Sequence, residues 1–176
     1  MSNSRVTSDV SLNLFSAAVN RGVKIRILTN SPTSTDNIEA FSGYQRNRKK
    51  ILATGARIFE FRPDAAVRYK VMTAALQEKL TYAPIFGLHA KSMIVDGKIT
   101  VIGTFNLDPR SASLNTECIS VIYSEDITRG VLKGFEEEFK PENSWETTSA
   151  WNPDHKAGMM KRANTWTRKV IPEAIL

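Results

Sequence analysis

The stretch from His89 to Asn106, HAKSMIVDGKITVIGTFN, constrains this chain more than any other. Asp96-Gly97 at its centre is a strong two-residue hairpin signal set between apolar, β-branched runs. The strand Lys98 to Ile102 therefore folds back and returns Gly103, Thr104 and Asn106 to the side of His89. Side chains alternate faces along an extended strand, so His89 and Lys91 point the same way, roughly 6.5 to 7 Å apart. As a pattern the stretch reads H-x-K, four residues, D, six residues, G-T-x-N. The histidine supplies a nitrogen nucleophile or proton carrier, and the lysine supplies a fixed positive charge. Phosphoryl transfer needs such a set.

The stretch resembles the HKD signature of the phospholipase D superfamily, matching at His89, Lys91, Asp96, Gly103 and Asn106, with Thr104 where serine is usual. TFNLDPRSASLNTE, the earlier GVKIRILTNSPTSTD and the closing IPEAIL are similar to the C-terminal half of bacterial cardiolipin synthases and related proteins, so the likeness covers most of the chain. It implies a phosphatidyltransferase working through a phosphohistidine, with one histidine attacking phosphorus and a second protonating the leaving alcohol. His89, Lys91, Asp96, Thr104, Asn106 and Glu117 are the catalytic residues it implies. Lys91 and Asn106 would hold the nonbridging phosphate oxygens, and Thr104 keeps the usual hydroxyl. Glu117 stands where the family commonly has an acid that orients the histidine ring. Asp96 is both hairpin residue and motif member, and its role stays open between turn and chemistry.

At 176 residues, 41% hydrophobic and 24% charged, the chain is one domain's worth of globular sequence. Nothing approaches the roughly 20 apolar residues of a membrane-spanning helix. The N-terminus lacks the pattern of a secretory signal. One cysteine and two histidines provide neither a disulfide framework nor a zinc constellation, so no cofactor is expected. Cys118 reads as a small buried hydrophobe. A net charge of +6 and a pI near 9.5 favour anionic partners, phospholipid headgroups or nucleic acid.

Apolar spacing predicts a helix over Val10 to Arg21, a strand over Val23 to Leu28, a helix over Asn37 to Ala53 and a strand over Arg57 to Phe61. That order predicts an α/β fold, a mixed, partly parallel sheet flanked by helices. A helix over Ala65 to Glu78 and a connection through Pro84 lead to the hairpin. Leu107 to Asn115 reads as a loop and Glu117 to Tyr123 as a strand. Ser124 then caps a helix with the stripe Ile127, Val131, Phe135, Phe139, stopped by Pro141. The basic cluster within QRNRKK, from Arg46 to Lys50, reads as a solvated helix face.

Residues 1–140 are thus expected to form a phospholipase D-like half domain, and residues 141–176 a basic amphipathic tail. If Ala157 to Ile171 is helical, Met159, Ala163, Trp166 and Val170 share one face, with Lys161, Arg162, Arg168 and Lys169 opposite, a pattern suited to a lipid surface. His155 is followed directly by Lys156 and belongs to no second motif. The resembled family uses two motifs at one site, and its members have an apolar strand where MSNSRVTSD stands here. The second motif would then come from another copy or from the other half of a longer enzyme. The resemblance places such a protein in the cytoplasm, peripheral on the inner membrane. A metal-independent phosphodiesterase or nuclease dimer and an inactive phosphate- or lipid-binding fragment are the alternative readings.

Overall fold

A computed structural model describes residues 9–67, 88–106 and 115–168. The expected opening order is present: α1 (Asp9–Asn20), β1 (Arg26–Asn30), α2 (Ile38–Ala53) and β2 (Arg57–Phe61). α2 begins where Asn37 turns its side chain back to accept from the Ala40 N–H at 2.9 Å. It carries the chain across so that β1 and β2 pair in parallel, from Arg26 opposite Arg57 to Asn30 opposite Phe61. β1 starts later than the alternation of VKIRIL predicts, because its pairing begins where Arg57 N–H reaches Ile25 O at 3.0 Å. Ile51, Ala56 and Ile58 form the core between helices and sheet, with Leu12, Ile25, Ile27, Tyr44 and Leu52 packed against them.

The hairpin forms a second, antiparallel sheet from β3 (Ser92–Val95), β4 (Ile99–Gly103) and β5 (Ile119–Tyr123), in the order β3-β4-β5. Asp96 at φ 50° and Gly97 at φ 66° adopt the left-handed turn that aspartate tolerates and glycine favours. One face of this sheet carries Met93, Val95, Ile119, Val121 and Tyr123, all exposed. On the other face lies α3 (Glu125–Glu138), capped by Ser124 and anchored by a buried 2.8 Å hydrogen bond from Thr100 to Thr128.

α3 then leaves the second sheet for the first. Phe139, its C-cap, meets Phe59 with ring centroids 4.8 Å apart, and the Arg26 guanidinium both covers Phe139 at 4.5 Å and pairs with Glu136. This diagonal course explains two departures from the sequence reading. Ile127 is 51% exposed, because the packed side of α3 runs through Thr128, Val131, Leu132 and Phe135. Cys118 is exposed rather than buried, because it precedes β5 at the end of the sheet that α3 leaves open.

Residues 141–176 are not simply a tail. β6 (Ser144–Thr147) pairs antiparallel with β2 and completes the first sheet in the order β1-β2-β6. A 3-10 turn, Pro153–Lys156, and α4 (Met159–Arg168) follow, with α4 against α2. The seam is ionic: buried Arg48 lies 3.2 Å from Glu60 on β2 and donates to Asp154 at 2.7 and 3.1 Å. QRNRKK is therefore only partly a solvated face, since Asn47 and Arg48 point inward while Lys49 and Lys50 are exposed. His155 meets Trp151 edge to face, ring centroids 5.8 Å apart, in this C-terminal seam. The expected helix Ala65 to Glu78 lies mostly outside the described residues, its first three residues being non-helical. Pro84, all but the last residue of the Leu107–Asn115 loop, and IPEAIL lie outside them too.

Glu60 is fully buried, accepts from Tyr44 and Thr147 at 2.9 Å each, and has one carboxyl oxygen without a hydrogen-bond partner. Burial outweighs the opposing pull of Arg48 and raises its pKa to about 7. A carboxyl raised from its ordinary value binds its proton more tightly in the folded state. Its contribution is therefore complete below that ordinary value and is lost as pH rises through about 7. Urea denaturation should show stability from this group falling by on the order of 1 kcal/mol per pH unit across that window. Glu60→Gln, which keeps the acceptor oxygen, should flatten the slope.

Candidate active site

Main-chain bonding holds the open end of the hairpin together. Gly103 N–H donates to Lys91 O at 3.0 Å, and Thr104 N–H to Cys118 O at 2.9 Å, so the segments before β3, after β4 and before β5 meet there. Glycine is required at 103 by space, because a Cβ would stand 2.3 Å from Cys118 O and 3.0 Å from Ile119 Cα. Asn30, at the end of β1, clasps Leu88 from both sides: its amide donates to Leu88 O at 2.8 Å and its oxygen accepts from Leu88 N–H at 2.7 Å. That clasp ties the residue before His89 to the first sheet.

These bonds gather His89, Lys91, Gly103, Thr104, Asn106 and Glu117 around a cleft of about 700 Å³, with Asn115 and Thr116 on its rim. The side chains of His89 and Lys91 do turn the same way, since Lys91 Nζ lies 2.6 Å from His89 Nε2. An ammonium has only donors, so this contact requires a lone pair on Nε2 and assigns the ring proton to Nδ1. Lys91 also donates to the His89 carbonyl at 3.2 Å, which holds the pair together before any anion arrives.

Thr104 uses both capacities of its hydroxyl, donating to the Glu117 carboxylate and accepting from Cys118 N–H at 3.0 Å. Glu117 also accepts from Asn115 at 3.2 Å. Sequence reasoning missed Asn30, Asn115 and Thr116. The run N-T-E beside Glu117 carried a signal for the last two, whereas Asn30 looked like an ordinary strand end. Asp96 is not brought in. It occupies the turn at the far end of the β3–β4 ladder, about 16 Å along the chain from Lys91 at the usual rise per residue. Its structural role is the turn.

A two-sheet α/β fold with histidine, lysine, hydroxyl and amide at the open end of one hairpin is the arrangement of a phospholipase D-like domain. The family profile described as cardiolipin synthase, PLD-like domain matches residues 2–139, and the chain belongs to that family. It is 41% identical over 118 residues to cardiolipin synthase C of Escherichia coli, covering 66% of this chain and 24% of that protein. It is also 30% identical over 141 residues to cardiolipin synthase 1 of Bacillus anthracis, covering 80% of this chain and 22% of that protein. The chain thus spans between a fifth and a quarter of the length of these relatives. The crystal structure of a phospholipase D family member, Nuc from Salmonella typhimurium, shares the fold with a TM-score of 0.56 at 17% identity, over 82% of this chain and 78% of that one.

Gly103→Ala should drive β4 from the Cys118 carbonyl, cost about 1–3 kcal/mol in urea denaturation and distort the cleft. Thr104→Ser keeps both hydroxyl bonds and should stay within about 0.5 kcal/mol of the native protein.

Proposed function

We propose that this chain is the half domain of a cardiolipin synthase-type phosphatidyltransferase, acting at a membrane surface with phospholipid as substrate and a second HKD motif supplied in trans. The single observation that carries the reading is the gathering of His89, Lys91, Thr104 and Asn106 in one cleft, with Lys91 Nζ 2.6 Å from His89 Nε2.

In the unliganded site the lysine ammonium occupies the lone pair of His89 Nε2. A phosphodiester entering the cleft offers better acceptors, and Lys91 and Asn106 turn to its nonbridging oxygens. The freed Nε2 attacks phosphorus, the N–P bond forms, the P–O bond to the leaving alcohol breaks, and the partner's histidine delivers its proton to that oxygen. The hydroxyl of an acceptor lipid then gives its proton back to the partner's histidine and displaces His89. Dividing the displacement in two, with placed charge on the phosphate oxygens, lowers each barrier. Glu117, held by Thr104 and Asn115, lines the same cleft as His89 and is assigned here as the acid that orients its ring. The exposed apolar face of β3–β5 continues to the cleft at Ile119 and supports docking of the partner domain there. No helix among the described residues is long and apolar enough to cross a membrane, which is compatible with a peripheral role.

Phosphatidylglycerol vesicles incubated with the protein, alone and with an added phospholipase D-like half domain, should yield cardiolipin. His89→Ala should reduce the rate on the order of 10³-fold or more, and Lys91→Met about 10²-fold. The net charge of +6 and the single motif favour a second reading, a phosphodiesterase dimer acting on nucleic acid. EDTA-resistant DNA cleavage by a dimer, without lipid turnover, would select it. A monomer that traps no phosphohistidine with either substrate and stays silent beside an added half domain would leave only phosphate or lipid binding.

A further inference from the structure

The helix α4 packs on the body by its polar side. Thr165 is buried and donates to Lys161 O at 2.8 Å, Lys161 donates to Thr35 O at 2.8 Å, and Arg168 pairs with Glu39 at the start of α2. Burial lowers the Lys161 pKa, as expected of an ammonium turned into the protein. The opposite side of the helix carries Met159, Ala163 and Trp166, with Met160 beside them. Met159 is 85% exposed, Met160 81% and Trp166 70%.

This is the reverse of an ordinary surface helix, which spends its apolar stripe on the core. Folding uses the lysine, the threonine and an arginine, and leaves two methionines and a tryptophan in water. The surroundings are basic: from His155 to Pro172 the sequence has not one acidic residue, and besides Lys161 and Arg168, which face the body, it carries Lys156, Arg162 and Lys169. An occupant must offer both an apolar layer and negative charge. An anionic bilayer interface has both, with acyl chains for the methionines, a headgroup boundary for the indole, and anionic lipid phosphates for Arg162 and its neighbours.

We infer that α4 is an interfacial docking helix, laid on the domain so that Met159, Met160 and Trp166 enter the surface of an anionic phospholipid bilayer. This goes beyond the transferase reading and does not depend on it, since docking needs none of the cleft residues.

The test is cosedimentation of the full chain with vesicles of phosphatidylcholine, alone or mixed with phosphatidylglycerol. Binding should require phosphatidylglycerol, weaken as salt is raised, and shift the tryptophan fluorescence to shorter wavelength. The triple variant Met159→Ser, Met160→Ser, Trp166→Ser should lose on the order of tenfold or more in vesicle partitioning. Its melting temperature should not fall, because these side chains are solvent-exposed in the native fold. Turnover of a dispersed short-chain phospholipid should also be unchanged. His89→Ala protein should bind vesicles as the native protein does, which keeps this inference separate from the fate of the catalytic reading. Undiminished vesicle binding by the triple variant would overturn it. So would loss of a protein dimer in light scattering on the same substitutions, which would make the stripe a subunit contact.

Discussion

The approach of Gly103 to the Cys118 carbonyl sets how closely β4 and β5 lie at the cleft, and most of the site follows from that spacing. With the strands this close, Thr104 reaches both Cys118 N–H and the Glu117 carboxylate, and the backbone of Gly103 holds Lys91 in register. The cleft is thus built by main-chain bonds that any sequence could make, around one residue whose missing side chain no other could replace. The chemical groups need only stand at the right offsets from it. The Asn30 clasp extends the same logic to the first sheet, where an amide side chain does for Leu88 what a neighbouring strand would do.

The other end of the molecule is organised by charge. Arg48, Glu60 and Asp154 join α2, β2 and the 3-10 turn with Tyr44 and Thr147 completing the bonds. A buried network of this kind is costly to desolvate, and its directional bonds fix how the joined elements meet. That matters here because β6 and α4 arrive late in the chain and have little apolar surface with which to find their place. α4 in particular docks by Lys161 on the Thr35 carbonyl and Arg168 on Glu39, with Thr165 buried between them. A polar seam frees the apolar side of that helix for another use.

How much of this was legible in the sequence depended on whether a signal was local. Asp96-Gly97, the Ser124 cap and the apolar spacing of Asn37 to Ala53 act within a few residues of themselves, and each produced the element it announced. Long-range geometry was hidden. Cys118 sits in an apolar run, yet it is exposed, because what covers a strand end is set by elements distant in the sequence. Arg48 looked like part of a solvated basic run because its partner Asp154 lies 106 residues away. In the candidate site, the offsets of His89, Lys91, Thr104, Asn106 and Glu117 were readable and the cleft unites them. Asp96, left open between turn and chemistry, stands at the turn, since the turn that brings the others together necessarily carries its own residues to the far end.

The contact between Lys91 and His89 also bears on the proposed second motif. The Lys91 ammonium, which can only donate, lies 2.6 Å from His89 Nε2, so a hydrogen bond between them uses the lone pair that a nucleophile needs. One histidine in this setting is suited to attack and unsuited to acid catalysis. In the proposed transferase reading the proton for the leaving alcohol therefore comes from the second histidine, the one supplied in trans.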